Sequence, residues 1–212
     1  MKYIILAYSD NPEPFTYPRQ LSVVKGEILV SRTARLLHEC GVKDVYITSA
    51  DKRFDGLGAI RYVPQHNDYK PKENKGYWLS AFPIELMTEP CTFLLGDVYY
   101  SENAIKTIVE SDTDSVLLFC SHRNTNPRYI KHHDETFAFK VVDCELFKNH
   151  ISIVKRMYDD GLTKRHPIAW ELYRSLNGID VNTHMLTENY VLINDETCDV
   201  DREIDVGLLN NM

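Results

Sequence analysis

Residues 93–100 read Phe93-Leu94-Leu95-Gly96-Asp97-Val98-Tyr99-Tyr100 (FLLGDVYY). Thr92 and the three residues after it form a continuous apolar run, the pattern of a strand covered on both faces. The run stops at Gly96 and a single carboxylate, Asp97. An Asp behind a strand is either a turn former or a group placed for chemistry, and the surroundings must decide. Upstream, residues 3–7 form another unbroken apolar run. After Gly26, the residues Ile28, Leu29, Ala34, Leu36 and Leu37 recur at helical spacing, and Gly41 supplies a stop. Residues 44–48 (DVYIT) and 59–63 (AIRYV) predict two further strands. Residues 64–76 (PQHNDYKPKENKG) read as a loop, and 78–87 as a helix. Downstream, Ser101-Glu102-Asn103 is a cap signal for a helix reaching Ser111. Residues 115–120 (SVLLFC) and 137–142 (FAFKVV) predict strands, and 144–158 and 167–176 predict helices. A last strand is expected at 190–193.

Strands alternate with helices over the first 120 residues. This predicts an α/β fold, a three-layer doubly wound and mainly parallel, mixed sheet, over a single domain spanning 1–212. Such sheets bind ligands in the crevice at the carboxyl ends of their strands. Asp97 falls at such an end, as do Tyr8, Ser9 and Asp10. Position therefore favours chemistry for Asp97.

Bulk properties narrow the class. The 212 residues suffice for one substantial core. A formal net charge of −7 argues against a general nucleic-acid binder, which needs a basic face. It leaves room for a small anionic substrate held by a few local cations. No apolar run approaches the roughly 20 residues needed to span a bilayer. The start, MKYIILAYSD, lacks a small-residue cleavage pattern, so a cytoplasmic protein is expected. Five scattered cysteines with no CxxC pair read as reduced, buried, small apolar residues.

A second carboxylate that converges on Asp97 would turn it into half of a magnesium site, since magnesium takes oxygen ligands and few carboxylates. Asp199, Asp201, Glu203 and Asp205 crowd the segment 198–205 (CDVDREID). The plain reading is an acidic loop that caps a helix. Yet Val200 reads inward and Asp201 outward, which would set Asp201 at the end of a terminal strand beside Asp97. Arg19, in YPRQLSVVKGE, stands close to the first loop of the sheet, where a phosphate would want a cation. Residues 121–135 (SHRNTNPRYIKHHDE) hold Arg123, Arg128 and Lys131 behind a strand end. A polar surface excursion is the favoured reading there, and an acceptor-phosphate site the other. The adjacent His132 and His133 do not make a metal pair. In KRHPIAWELYR, Trp170 and Tyr173 read as packing residues. No G-x-S-x-G or Walker A pattern is present.

The order of these motifs resembles the nucleotidyltransferases of the sugar-phosphate and choline-phosphate type, with a GT-A/Rossmann-like fold. The family opens with a strand, then LAAG-x-G-x-R, a Pro-Lys pair and a V-x-G-x-P-L-L helix start. Here IILAYSDN is followed by PRQLSVVKGEILVSRTARLLHECGVKDVYIT, with Arg19 in the place of the signature Lys. FLLGDVYY is similar to the family's strand ending in Gly-Asp, and DVDREID to its closing D-x-D-x-x-x-D. HNDYKPKENKGYWLSAF looks like the segment before the middle helix in the choline-phosphate cytidylyltransferases. The likeness covers most of the chain loosely. It departs at the nucleotide loop, because AYSDNPEPFTYPR contains no glycine through which a backbone could approach a triphosphate.

The resemblance implies transfer of a nucleotidyl group from a nucleoside triphosphate to a small phosphorylated acceptor, with release of pyrophosphate and no nucleic-acid or membrane partner. A homodimer is compatible with it. It implies magnesium at Asp97 and Asp201, Arg19 and Asp97 as catalytic residues, and nucleotide contacts from Ala7, Tyr8, Ser9 and Asp10. By the same likeness Gln65, Asn67 and Asn74 are further candidates for contacts to the nucleotide base or to the acceptor. Two alternatives stand beside it. A GT-A glycosyltransferase would use a nucleotide sugar and needs no glycine-rich loop, although its D-x-D place holds Gly96-Asp97-Val98-Tyr99. A non-catalytic relative would bind a nucleotide or nothing.

Overall fold

Among the described residues (1–7, 17–68, 76–122 and 134–212), seven strands of the computed structural model hydrogen-bond into one central sheet. In chain order the strands are β1 (Lys2–Leu6), β2 (Val23–Val24), β3 (Glu27–Ile28), β4 (Val45–Thr48), β5 (Ile60–Tyr62) and β6 (Cys91–Leu95). They continue with β7 (Val98–Tyr99), β8 (Val116–Ser121), β9 (Glu135–Val141), β10 (Tyr190–Leu192) and β11 (Cys198–Asp199). The helices are α1 (Leu29–Glu39), α2 (Glu102–Glu110), α3 (Cys144–Asp159), α4 (Ala169–Leu176) and α5 (Glu203–Asn210). The sheet runs β10-β8-β9-β6-β1-β4-β5. Every neighbouring pair is parallel except those made by β9, which runs antiparallel to both β6 and β8. The sheet is thus mixed and mostly parallel, in an α/β fold.

The two faces carry separate cores. On one, Val30, Ala34 and Leu37 of α1 and Ala104, Ile105 and Ile108 of α2 pack on Ile5, Ile47 and Leu94. On the other, Phe147 and Val154 of α3 and Trp170 and Tyr173 of α4 pack on Ile4, Phe93 and Phe139. Phe147 meets the rings of Phe82, Phe93 and Phe139 at centroid distances of 5.2, 5.8 and 5.5 Å. Such spacing adds edge and stacking energy to the buried area. Trp170 and Tyr173 are packing residues, as their spacing indicated.

The predicted helix at 78–87 does not form as one piece. Two 3-10 turns, Trp78–Ala81 and Ile84–Leu86, replace it. Pro83 lies between them, and a proline both lacks an N–H and forces its predecessor out of the helical region. Cys40 is exposed at the end of α1, against the reading of all five cysteines as buried, whereas Cys91 and Cys120 are buried. Burial pushes the Cys120 thiol up to about 12. No described helix is long and apolar enough to cross a membrane.

The chain leaves β1 for β4 and β5 on one side, then returns to β6 on the other side of β1. The β1–β6 pair is therefore the topological switch point, and its carboxyl ends face the crevice where such folds place ligands.

Candidate functional site

Gly96 follows β6 at this switch point. Its N–H donates to the Leu6 carbonyl at 2.9 Å. A Cβ on Gly96 would stand 2.6 Å from that same carbonyl oxygen and 3.3 Å from the Gln20 side chain. Only glycine permits so close an approach of the two backbones. The glycine lets β6 stay paired to the last residue of β1, and it delivers Asp97 at the centre of the crevice. Beyond it, β7 pairs antiparallel with β11, placing Val98 opposite Asp199. The Val200 N–H donates to the Asp97 carbonyl at 2.7 Å.

This second pairing carries the terminal acidic segment to Asp97. Val200 is fully buried, and Asp201 emerges beside it. The Asp205 carboxylate accepts from the backbone N–H groups of Asp201 and Arg202 at 3.1 and 2.8 Å, at the start of α5. Asp205 is thus a helix-capping group, and it holds the Asp201 backbone still. The acidic run therefore divides its labour: Asp205 caps, while Asp199 and Asp201 face the crevice cluster.

Arg19 enters from the 3-10 turn Arg19–Leu21 that precedes β2. Its guanidinium pairs with the Asp97 carboxylate and, through the other terminal nitrogen, with Asp201 Oδ1 at 2.9 Å. The side chains of Arg19, Asp97 and Asp201 are 24%, 15% and 41% exposed. One planar fork so bridges two carboxylates from segments about a hundred residues apart in sequence. A single ammonium could not present two nitrogens in that plane. Asp201 also belongs to a second group, because one carboxylate oxygen each of Glu135, Asp199 and Asp201 lies within 4.8 Å of the others. Their hard oxygen donors have the chemistry that a magnesium ion takes.

The structure brings Arg19, Asp97 and Asp201 together, and it groups Glu135 and Asp199 with Asp201. Ala7 lies at the end of β1, where its N–H donates to the Thr48 hydroxyl at 3.1 Å. Gln65 and Asn67 follow the edge strand β5. The Gln65 N–H donates to Glu85 at 2.9 Å, and Asn67 accepts from the Ser80 hydroxyl at 3.1 Å. Tyr8, Ser9, Asp10 and Asn74 lie outside the described residues, as do Arg123, Arg128, Lys131, His132 and His133. Glu135 was missed because it closes the segment 121–135, read as a polar surface excursion before a strand expected at 137–142, whereas β9 already begins at Glu135. Its signal was an acidic pair just ahead of that strand.

No family model matches the chain, and no curated protein does. Solved structures match it in fold. CTP:phosphocholine cytidylyltransferase from Streptococcus pneumoniae superposes with a TM-score of 0.59 at 15% identity, over 99% of this chain and 97% of that one. The 2-C-methyl-D-erythritol 4-phosphate cytidylyltransferase from Thermus thermophilus gives 0.61 at 10% identity, over 99% and 97%. The inositol-1-phosphate CTP transferase from T. maritima gives 0.55 at 17% identity, over 98% and 94%. The chain therefore has the fold of these nucleotidyltransferases across nearly its whole length.

Proposed function

We propose that this chain, as one domain, transfers a nucleotidyl group from a nucleoside triphosphate to a small phosphorylated acceptor. The observation that carries the reading is the meeting of Arg19, Asp97 and Asp201 at the carboxyl ends of β1 and β6. It occurs in a fold shared with cytidylyltransferases over 99% of the chain. The acceptor phosphate is already a nucleophile, so little acid–base help is required, and the protein's task is positioning and neutralising charge.

Each residue then has a task. Arg19 neutralises Asp97 and Asp201 in the free protein. When a triphosphate arrives, the two nitrogens of the same guanidinium can turn from carboxylate to phosphate oxygens. Asp201 would hold magnesium, with Asp97 or with Glu135 and Asp199 as further oxygen ligands. Bound there, magnesium would offset negative charge on the phosphate oxygens. Asp205 keeps Asp201 at its station through the backbone, and Gly96 does the same for Asp97. Ala7 forms the floor under the nucleotide.

The test is a thermal shift with each nucleoside triphosphate and each common nucleotide sugar, with and without magnesium. A ligand that binds only the folded chain raises the melting temperature by mass action. Stabilisation by one triphosphate that needs magnesium and disappears in Asp97→Ala, followed by pyrophosphate release with an acceptor, is the expected result. The glycine-free stretch from Ala7 to Arg19 favours a second reading, a glycosyltransferase. Stabilisation by a nucleotide sugar alone would select it and end the first.

A further inference from the structure

At the crevice end of the sheet the strand ladders do not all stop together. β1 and β6 stay paired as far as Leu6 and Leu95, and β8 and β9 as far as Ser121 and Glu135. Between β6 and β9 the pairing ends at Leu94 and Ala138. β9 also carries an extra residue there. Phe119 faces Ala138, Cys120 faces Thr136, and Phe137 is left between them. An extra residue of this kind bends its strand and disrupts the ladder locally. The sheet therefore opens between Leu95 and Phe137. Leu95 lies two residues before Asp97, and Phe137 two residues after Glu135.

Tyr100 fills the opening. Its hydroxyl stands 2.6 Å from the Phe137 carbonyl oxygen and 3.2 Å from that of Leu95. A phenol has one proton to donate, and the shorter contact takes it. The side chain is 1% exposed, in the core on the α1 and α2 face. A hydroxyl there costs free energy unless it is bonded, and a phenylalanine would fill the same space without that cost. Burial, and after it the Asp97 charge, pushes the Tyr100 phenol well above its ordinary value, so it remains a donor. Its backbone is held as well. The Tyr100 carbonyl accepts from Arg32 Nε at 3.3 Å. The next residue, Ser101, caps α2 by accepting from the Ala104 N–H at 2.9 Å.

The spacing of this opening matters because Asp201 reaches both of its sides. It shares the Arg19 guanidinium with Asp97, which follows β6, and it groups with Glu135, which begins β9. The two contacts coexist only while the ends of β6 and β9 keep their distance, and the Tyr100 hydroxyl bonds across that gap.

We propose that Tyr100 is a positioning residue of the crevice: its hydroxyl ties β9 to the end of β6, fixes Asp97 relative to Glu135, and so keeps Asp201 placed to hold magnesium beside a triphosphate. The proposal rests on the transferase reading above. Buried as it is, Tyr100 acts through the carboxylates.

The test uses the full chain and the triphosphate that gives the thermal shift. Calorimetric titration with and without magnesium is run on the native protein, on Tyr100→Phe, which keeps the ring and loses the hydroxyl, and on Phe147→Leu, which removes buried volume on the opposite face. Melting temperatures are recorded beside the titrations. Tyr100→Phe should keep its magnesium-free Kd within twofold of the native value and lose at least tenfold of affinity when magnesium is present. Phe147→Leu should melt earlier and keep both Kd values. A merely structural role would lower the melting temperature of Tyr100→Phe and leave its response to magnesium intact, which would overturn the proposal. Equal weakening with and without magnesium would overturn it too. If the native protein binds a triphosphate and Tyr100→Phe behaves as Phe147→Leu does, this inference alone fails. If no triphosphate binds the native protein, the transferase reading fails, and the positioning role goes with it.

Discussion

Replacing Arg19 by alanine gives the sharpest test of the crevice. The guanidinium joins Asp97 and Asp201, and removing it leaves those carboxylates facing each other with Glu135 and Asp199 close by. The pairs are neither fully buried nor fully exposed. A buried pair that loses one partner costs about 3–5 kcal/mol, whereas an exposed pair is worth about 0.2–1 kcal/mol. With Asp97 at 15% and Asp201 at 41% exposure, a loss of about 2 kcal/mol is expected. For a chain of this length that lowers Tm by about 4–8 °C. The variant should also gain sensitivity to magnesium, because Asp97 and Asp201 lose the guanidinium that joins them. Differential scanning calorimetry of native protein, Arg19→Ala and Arg19→Lys, each with and without millimolar magnesium, reads both effects. Arg19→Lys keeps the charge without the fork and should fall between the other two. An Arg19→Ala variant that melts with the native protein and responds to magnesium no differently would refute the idea that this fork organises the site.

The remaining predictions concern the frame around that site. Gly96→Ala should destabilise by about 1–3 kcal/mol, the range for overpacking, since its Cβ would meet the Leu6 carbonyl oxygen at 2.6 Å. Urea titration reads the loss, and an unchanged midpoint would contradict the close approach. Phe147→Ala, which empties a fully buried site among Phe82, Phe93 and Phe139, should cost about 3–5 kcal/mol by the same assay. The Arg35 guanidinium, aided by Arg32, holds the Glu27 carboxyl at about 2. A carboxyl depressed in the folded state stabilises fully above its unfolded value, near 4.5, and loses that contribution as pH falls towards 2. These side chains are partly exposed, so the effect is about 1 kcal/mol or less. Melting curves of Glu27→Gln should show a weaker loss of stability than the native protein between pH 5 and 2.5, and parallel curves would remove Glu27 from the account.

Sheet-forming segments were legible wherever burial on both faces made them continuously apolar. β1, β4, β6 and β8 lie within a residue of their expected bounds for this reason. β7, the β2–β3 hairpin and α5 were not legible. The two-residue strands of β7 and the hairpin are too short to show a period, and they exist because a partner strand lies beside them. The helix expected at 78–87 failed on Pro83, a local signal outweighed in the reading by the apolar spacing around it.

What the sequence determined by itself was the alternation of strand and helix, and with it the layered sheet and the carboxyl-end position of Asp97. Those follow from periods of two and 3.6 residues, which are local properties of the chain. Tertiary structure alone decided who meets Asp97. Arg19 and Asp201 reach it only because β6 returns beside β1 and because β11 pairs with β7. Pairing between distant segments depends on register and topology, and neither leaves a mark on the spacing of residues within a segment. Gly96 bridges the two levels. Its place in FLLGDVYY was visible in the sequence, but the need for it is a carbonyl of Leu6, 90 residues away, that leaves no room for a Cβ.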